Sequence, residues 1–376
     1  MPRCFALFSG GLDSAIAIKT MQVAGVDVIA LNFVSHFFGG PSEKLQHMAD
    51  QLQVPVLFVP FHEQQLAATV NPKAGRGKNF NACIDCHATM LSIAGQMMQT
   101  YKVDFMVTGE VLGQRPMSQN SQALQQVAKM SGYGDLILRP LSGQQLATDS
   151  FLEKFGLQRS QLHAIEGRST TQQEQLATSF GLTKYPSHGG GCILTEPSFA
   201  AKMKTLHKDQ VICEQTQFVY KCMRNGRVLR YGDSQYLVVG RSQAENAFLD
   251  QFRKYGEYCS AGDNLEMVGP TILILDFSSV KNVGIQFKQI ELLETDLEDL
   301  KGGKCEICTK LEDFTQKEVK FEANLELKEF AKQVYCYYSK GKGKTGCKCE
   351  FNGEVVEIAA LDEEQIGAIR SKLVEL

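Results

Sequence analysis

A glycine-rich loop near the start of the chain constrains the fold most strongly. The apolar run Arg3–Phe8 predicts a buried β-strand, and Leu12, Ala15 and Ile16 then recur at helical spacing. Between strand and helix lies Ser9-Gly10-Gly11-Leu12-Asp13-Ser14. Adjacent glycines permit a tight turn, and the helix N-terminus offers unpaired N–H groups and the positive end of its dipole. The sequence therefore predicts a loop that binds phosphate or pyrophosphate.

The polar side chains of this loop suit the same ligand. Ser9 and Ser14 supply hydroxyl donors. The carboxylate of Asp13 repels a bare phosphate but suits a bridging Mg²⁺ ion. The alternative is a capped strand-to-helix turn without a ligand. We favour the phosphate loop because strand, loop and helix all agree.

Strand-like and helix-like segments alternate after the loop, up to about residue 200. This order is typical of βαβ units, so we expect an α/β fold with a parallel sheet. The further strand-like runs cover residues 26–33, 54–59, 103–108 and 136–138, and the helical patterns lie near residues 43–53, 86–101 and 143–155.

The charge pattern of the sequence changes after residue 200. Residues 201–240 hold seven Lys/Arg against three Asp/Glu, a local net charge of +4, and an acid-rich stretch follows at 288–300. Gly302-Gly303 is typical of a joint between domains. We therefore expect three parts, the last two being smaller α+β domains. They are a nucleotide-binding domain at 1–200, an RNA-binding domain at 201–300 and a small C-terminal module at 303–376.

Composition excludes several classes of protein. With 376 residues, 43% of them hydrophobic and 22% charged, the chain is an ordinary globular protein that buries a core. No apolar run approaches the roughly 18–20 residues that cross a bilayer, so we expect a cytoplasmic protein without membrane segments. A net charge of −3 argues against a bulk polyelectrolyte binder but leaves room for a local basic patch.

Three of the twelve cysteines stand in positions that favour chemistry. Cys83 and Cys86 form a CxxC at a predicted helix start, where we expect a lowered thiol pKa. Cys192 follows three glycines, which let a thiol reach a crowded site. Three interpretations remain open. The thiolates hold a 4Fe–4S cluster with one open iron, or one cysteine carries a persulfide that another resolves, or they are zinc ligands or buried thiols.

The other cysteines give weaker signals. Cys305 and Cys308 with Cys347 and Cys349 form a CxxC…CxC pair, which is chemically able to bind zinc. The pairs are far apart in sequence, so we prefer unligated thiols there. We expect the remaining five to be core or incidental residues, namely Cys4, Cys213, Cys222, Cys259 and Cys336.

Four motifs in a consistent order resemble a known superfamily over residues 1–195. SGGLDS is similar to the signature of the PP-loop ATP pyrophosphatases. The segment Thr108–Gln114, with Ser118-Gln119 after it, resembles the TGE-x-LGQ…SQ element of tRNA 4-thiouridine synthetases. Leu138–Leu141 resembles their LRPL element, and Cys83–His87 resembles a cysteine-bearing motif of that group.

The resemblance implies a PP-loop domain that cleaves ATP between the α- and β-phosphates, with Mg²⁺. It implies a tRNA sulfurtransferase that adenylates a uridine carbonyl oxygen and replaces it with sulfur. Three-cysteine clusters occur in some tRNA thiolation enzymes of this superfamily, which supports Cys83, Cys86 and Cys192 as catalytic cysteines. The residues implied on the pyrophosphate side of ATP are Ser9, Gly10, Gly11, Asp13 and Ser14, and those near its AMP portion are Gly109 and Gln119.

The chain also departs from these synthetases. No RNA-binding segment precedes the loop and no rhodanese-like segment is recognisable, so we expect RNA capture and sulfur delivery to come from elsewhere. Candidate sulfur donors are a cysteine desulfurase or free sulfide. Tyr236–Arg241, Glu245-Asn246 and Gly269–Ile274 resemble the RNA-binding domain of NFACT proteins, over about residues 205–290. The basic stretch 201–241 would then contact phosphates of tRNA.

Two other functions compete with tRNA thiolation. One is a small-molecule PP-loop ligase or sulfur transferase. Failure of the chain to bind tRNA would favour this function. The other is a non-enzymatic RNA-binding adaptor with a vestigial nucleotide domain. The intact SGGLDS argues against the adaptor, and absence of pyrophosphate release would support it.

Overall fold

A computed structural model describes most of the chain. The described residues are 1–183, 185, 191–212, 217–262, 269–278, 305–307, 322–339 and 343–372. They belong to two compact units. The first comprises Met1–Thr195 with Gln286–Asp313, and the second comprises Glu196–Ile285 with Phe314–Leu376.

The secondary structure has the following bounds. The strands are β1 (Arg3–Leu7), β2 (Asp27–Val34), β3 (Val56–Pro60), β4 (Phe105–Val107), β5 (Ile137–Leu138), β6 (Arg227–Gly232), β7 (Gln235–Val239), β8 (Glu257–Ser260), β9 (Ile272–Asp276), β10 (Cys305–Ile307), β11 (Cys347–Phe351) and β12 (Glu354–Ile358). The α-helices are α1 (Leu12–Val23), α2 (Glu43–Leu52), α3 (His62–Val70), α4 (Cys83–Met97), α5 (Ser121–Ser131), α6 (Gly143–Leu146), α7 (Asp149–Phe155), α8 (Thr171–Ser179), α9 (Pro197–Lys208), α10 (Gln217–Arg224), α11 (Gln243–Asp250), α12 (Leu325–Tyr338) and α13 (Glu363–Lys372). Within the described residues, no helix is long and apolar enough to cross a membrane.

The first unit is built on a parallel sheet. Its strand order is β10-β3-β2-β1-β4-β5, and every neighbouring pair is parallel. The chain runs outward from β1 through β2 to β3, then returns to the other side of β1 with β4. In such sheets, ligands bind at the carboxyl ends of the two strands where the direction reverses. The predicted site therefore lies where β1 and β4 end.

Helices cover both faces of this sheet, which explains its apolar strands. Ala6 and Ala30 point into one buried cluster with α1, and Phe5 and Leu31 point into the other with α4. A strand buried on both faces carries apolar residues at every position rather than at alternate ones. The predicted α/β class with a parallel sheet is confirmed.

Two helices of the first unit escaped prediction, α3 and α5. The buried face of α3 includes His62, Gln65 and Thr69, so its sequence has no apolar stripe to reveal it. The helical pattern expected over 143–155 is divided into α6 and α7, because the Thr148 hydroxyl accepts the Phe151 N–H and caps a new helix.

The second unit is built on an antiparallel sheet with the order β12-β11-β8-β9-β7-β6. Helix α12 packs on one face of it. Leu327, Phe330 and Val334 of this helix are buried with Leu237 and Ile272 of the sheet. Antiparallel sheets of this kind bury one face against a helix.

The domain division differs from the one expected at residues 300–303. Strand β11 pairs with β8, joining Glu350 to Ser260 and Phe351 to Cys259, so both regions form one sheet. Strand β10 pairs instead with β3 of the first unit. The chain thus crosses between units more than once, and a composition change in sequence does not reveal such pairing.

Replacing Phe330 by Ala tests the packing of α12. Phe330 is 6% exposed within the cluster, so we expect a loss of about 3–5 kcal/mol in the free energy of unfolding. Urea denaturation of the full chain measures it. Glu329→Ala, one residue away and solvent-exposed, is the control and should change stability by less than about 1 kcal/mol. Equal stability of both variants would contradict the packing described.

Candidate nucleotide and thiol site

The loop between β1 and α1 gathers donors at the end of β1. Gly10 has a φ of +77°, which favours glycine. The Ser9 hydroxyl accepts the Gly11 N–H at 3.3 Å, and the Ser14 hydroxyl donates to the Gly11 carbonyl at 2.8 Å. The Ser9 and Ser14 hydroxyl oxygens lie 3.4 Å apart. Gly11 is the N-cap residue of α1 and brings no side chain that competes for the N–H groups of the first turn.

Asp13 lies in the first turn of α1 and is held from the loop after β4. The Gln114 side-chain amide donates to Asp13 Oδ2 at 3.1 Å. An acidic side chain is favourable at a helix N-terminus. Mg²⁺ is commonly bound by one or two carboxylates together with phosphate oxygens and water. A single carboxylate beside a phosphate loop fits that donor set.

Gly109 is packed directly against this first turn. A Cβ atom at residue 109 would lie 2.6 Å from the Ser14 backbone nitrogen and 2.7 Å from the Asp13 carbonyl carbon. No other residue type fits such an approach without moving the loop. The ends of β1 and β4 therefore meet at Gly109, where the strand order predicts a ligand site.

A buried carboxylate next to Gly109 connects three of the sequence motifs. Glu110 is 4% exposed, and its Oε1 pairs with His87 Nδ1 at 2.8 Å. Its Oε2 accepts the Thr108 hydroxyl at 3.0 Å and Arg139 Nε at 3.0 Å. Burial raises the pKa of Glu110, but the His87 hydrogen bond and the Arg139 charge outweigh it and hold the pKa at about 2.

Gln119 is buried beside the same loop. The Gly113 N–H donates to the Gln119 carbonyl at 2.7 Å, and Gly113 has a φ of +76°. The side chain of Gln119 is 6% exposed, and its Oε1 has no hydrogen-bond partner among the described residues. Buried amide oxygens are usually paired, so this acceptor suits a ligand N–H group.

The three cysteines singled out in the sequence lie together in the first unit. Each of Cys83 and Cys192 is close enough to Cys86 for its negative charge to raise the pKa of the Cys86 thiol. The Ile193 N–H donates to the Phe37 carbonyl at 3.2 Å, which fixes the chain beside Cys192. Ser187 to Gly190, including His188 and two of the three glycines before Cys192, lie outside the described residues.

Amide side chains contact the three sulfurs. Gln65 Nε2 donates to Cys86 Sγ at 3.8 Å, and the same side chain hydrogen-bonds to Cys192. Asn81 Nδ2 donates to Cys83 Sγ at 3.1 Å. These amides carried no signal in the sequence, because Gln65 lies on the polar buried face of α3. Hydrogen bonds to sulfur tune both thiolates and sulfur-ligated clusters.

The expectation of a lowered thiol pKa at the start of α4 is wrong for Cys86. Burial raises its pKa well above the ordinary value, and the neighbouring Cys192 and Cys83 add to the shift. Burial likewise raises the pKa of Cys192 to about 12. The helix dipole is outweighed because the thiols are withdrawn from water.

The described His, Cys, Asp and Glu side chains include no group of three or more arranged to hold a metal ion. The chemistry of the donors nevertheless suits iron and sulfur, since thiolates are the usual ligands of iron–sulfur clusters and amides donate to these sulfurs. Binding of a metal would release the thiol protons. The iron–sulfur assignment of Cys83, Cys86 and Cys192 therefore stays a prediction.

The remaining cysteines mostly behave as core residues. Cys4, Cys222, Cys259 and Cys336 are buried thiols, as expected. Cys213 and Cys308 lie outside the described residues. Cys347 and Cys349 are buried in the second unit, whereas β10, which contains Cys305, belongs to the first.

Comparison with known proteins finds similarity to part of this chain. Residues 2–147 match the family model described as Thiamine biosynthesis protein (ThiI). A probable tRNA sulfurtransferase from Finegoldia magna is 31% identical over 142 residues, which are 37% of this chain and 35% of that protein. A crystal structure of a 4-thiouridine synthetase–RNA complex with bound ATP aligns with 48% of this chain and 52% of its own, at 20% identity and a TM-score of 0.32.

The matched residues show which part of the candidate site lies within the region of similarity. The chain matches about a third of the length of the curated relative. The residues matched by the family model include the phosphate loop, Cys83, Cys86, Glu110 and Arg139, and they end before Cys192. The match thus covers the loop, two of the three cysteines and the Glu110–Arg139 pair, and Cys192 lies beyond it.

Replacing Gly109 by Ala tests the contact between the two loops. The added methyl displaces the first turn of α1, so we expect Kd for ATP to rise about tenfold or more, or about 1.4 kcal/mol. Isothermal titration calorimetry measures this. The control is Gly367→Ala in α13, where a Cβ meets nothing within 4 Å and ATP affinity should not change. Unchanged affinity in Gly109→Ala would exclude the close approach.

Replacing Glu110 by Gln tests the buried network. The Arg139 charge loses its partner, so we expect a loss of about 3 kcal/mol in unfolding free energy at pH 7. The pKa of Glu110 is lowered in the folded state, so its contribution is present above the unfolded pKa of about 4.3 and is lost as pH falls towards 2. Urea denaturation should therefore show a smaller difference between variant and wild type at pH 3.5. A difference that does not shrink there would contradict the assignment.

Proposed function

We propose that the chain is an ATP-dependent tRNA sulfurtransferase that replaces a uridine carbonyl oxygen with sulfur. One observation carries the proposal. The phosphate loop and the three thiols are connected through Gly109, Glu110 and His87, a path of direct contacts and adjacent residues. An ATP site alone suits many ligases, and a thiol cluster alone suits redox proteins. Their connection through one loop suits activation followed by sulfur transfer.

The nucleotide is bound by the loops after β1 and β4. Ser9, Gly10, Gly11 and Ser14 hold the pyrophosphate side of ATP through the backbone N–H groups at the start of α1 and through the serine hydroxyls. Asp13 holds Mg²⁺, which would neutralise charge on the phosphates. Gly109 brings the loop after β4 against the phosphate loop near the AMP portion, and the unpaired Oε1 of Gln119 accepts a hydrogen bond there.

The reaction has two steps. In the first, the uridine carbonyl oxygen attacks the α-phosphorus of ATP, an O–P bond forms, and pyrophosphate leaves with the electron pair of the broken bond. In the second, a sulfur nucleophile attacks the activated carbon and AMP leaves with the former carbonyl oxygen. Preorganised N–H groups stabilise the charge that develops on the leaving phosphates. The products are thiouridine, AMP and pyrophosphate.

The sulfur centre is formed by Cys83, Cys86 and Cys192. A 4Fe–4S cluster on these residues would supply sulfide bound at one open iron. The chain's own contribution is to hold the three sulfurs and to orient them with Gln65 and Asn81. Alternatively, one cysteine carries a persulfide delivered by a cysteine desulfurase, and a second thiol releases the terminal sulfur by forming a disulfide. That route needs an external thiol reductant to restore the site.

Two proposals concern the context of the reaction. The second unit, whose residues 205–290 resemble the NFACT RNA-binding domain, binds tRNA. The cytoplasm is the proposed location. A small-molecule PP-loop ligase or sulfur transferase remains the rival enzyme, and an RNA-binding adaptor remains the non-enzymatic rival.

Replacing Cys192 by Ala tests the sulfur centre. We expect the variant to bind ATP like the wild type and to form no thiouridine, because one of three sulfur positions is lost. Nucleoside mass spectrometry after incubation with tRNA, ATP, Mg²⁺ and sulfide measures the product. Cys222→Ala removes a buried thiol of the second unit and is the matched control, which should retain thiolation. Normal thiolation by Cys192→Ala would defeat the assignment.

Iron and acid-labile sulfide analysis of anaerobically purified protein separates the two sulfur sources. Iron and sulfide in the wild type that are lost in Cys192→Ala support the cluster. Sulfane sulfur on one of the three cysteines without iron supports the persulfide. Zinc alone, or bare thiols with no thiolation, would overturn the proposed sulfur centre.

A further inference from the structure

The second unit contains a cleft where β6 begins and β7 ends. Arg227 pairs with Val239 across these strands, and the chain then runs through Gly240 and Arg241 into α11. The cleft has a volume of about 360 Å³. We call it the arginine cleft, and its lining includes Arg227, Gly240, Arg241, Asn246 and Tyr338. Two of the lining residues are arginines and none is acidic.

Arg227 is held in place by an aromatic residue rather than by a carboxylate. Its Nη1 donates to the Tyr338 hydroxyl at 2.7 Å, and its guanidinium lies 5.1 Å from the centre of the Tyr338 ring. A guanidinium fixed by one hydrogen bond and a ring contact keeps further N–H donors for a ligand. Arg227 is therefore oriented while its charge remains uncompensated by the lining of the cleft.

Arg241 stands at the rim with a carboxylate beside it. Its side chain is 56% exposed, and Glu245 accepts from its guanidinium at 2.5 Å and from its backbone N–H at 2.7 Å. Lys202 lies close enough to Arg241 and Glu245 for both charges to shift its pKa. Its Nζ donates to the Met223 carbonyl at 2.7 Å. Burial and the Arg241 charge lower the pKa of Lys202 to about 8. Positive charge thus exceeds negative charge around the cleft.

Close packing against Asn246 requires glycine at residue 240 in the lining of the cleft. A Cβ at Gly240 would collide with Asn246 Oδ1, which accepts the Thr271 N–H at 3.0 Å and is fixed by it. The Gly240 N–H donates to the Thr271 carbonyl at 2.9 Å, so the groups that the cleft offers to a ligand are its side chains. Arginine side chains recognise phosphate oxygens through charge-assisted, often bidentate hydrogen bonds.

We propose that the arginine cleft binds one phosphodiester of the RNA strand, a contact that rests on tRNA being the substrate. A backbone phosphate fits better than a free nucleotide. The one aromatic ring of the lining, Tyr338, already faces the Arg227 guanidinium, so the lining supplies no other ring on which a base would stack. The contact is accordingly independent of base sequence.

The test compares two pairs of charge-removing substitutions in the full chain. Fluorescence anisotropy with a labelled tRNA transcript measures Kd at several salt concentrations. For Arg227→Gln with Arg241→Gln, we expect Kd to rise at least about tenfold and the salt slope to fall by about 1. Lys129→Gln with Lys154→Gln removes the same charge from exposed positions of α5 and α7, outside the basic stretch 201–241, and should raise Kd much less.

Glu245→Gln should change the Kd for tRNA in the opposite direction. It removes the carboxylate that competes for Arg241, so we expect tRNA to bind severalfold more tightly. Loss of the Arg227–Tyr338 contact could unfold the double variant. In that case Arg241→Gln alone, which changes an exposed side chain, takes its place in the test. Circular dichroism of each variant confirms the fold.

The results distinguish failure of the cleft proposal from failure of the proposed activity. Equal losses for the two pairs, or unchanged binding in Arg241→Gln and Glu245→Gln, would overturn the cleft even if the wild type thiolates tRNA. If the wild type makes no thiouridine yet the cleft variants change tRNA binding as expected, the activity fails and the cleft stands.

Discussion

The buried carboxylate of Glu110 is the interaction on which the candidate site depends. It binds His87, Thr108 and Arg139, which belong to the thiol-bearing helix, the end of β4 and the segment after β5. A buried charge is costly unless its hydrogen bonds are complete, so the network admits one arrangement of these three segments. The neighbouring Gly109 then has a fixed position against the phosphate loop.

The candidate site has two parts, the phosphate loop and the three thiols. The strand order places a crevice at the ends of β1 and β4, and the phosphate loop supplies donors on one side of it. The thiols lie on the other side of the Glu110 network, contacted by amides from α3 and from the segment before α4. In the proposed reaction, activation by ATP and transfer of sulfur both take place in the first unit, while the second unit offers a separate cationic cleft.

The sequence predicted the parts of the fold that apolar periodicity and glycine determine. The strands, the loop between β1 and α1 and the α/β class are confirmed, whereas binding of phosphate by that loop stays a prediction. Helix α3 was missed because polar Gln65 and His62 occupy its buried face, and the union of β8 with β11 was missed because strand pairing over long separations leaves no local signal. The thiol pKa was misjudged because burial of Cys86 is a property of the folded chain. The motif residues Glu110 and Arg139 carried a family resemblance, but their mutual contact appears only in three dimensions.

The most direct test of the central claim is the stoichiometry of nucleotide cleavage with tRNA and a sulfur source. The two-step reaction predicts equimolar AMP, pyrophosphate and thiouridine, with no steady release of pyrophosphate when tRNA is omitted. Release of ADP and phosphate, or of pyrophosphate at the same rate without tRNA, would contradict the proposed adenylation of uridine.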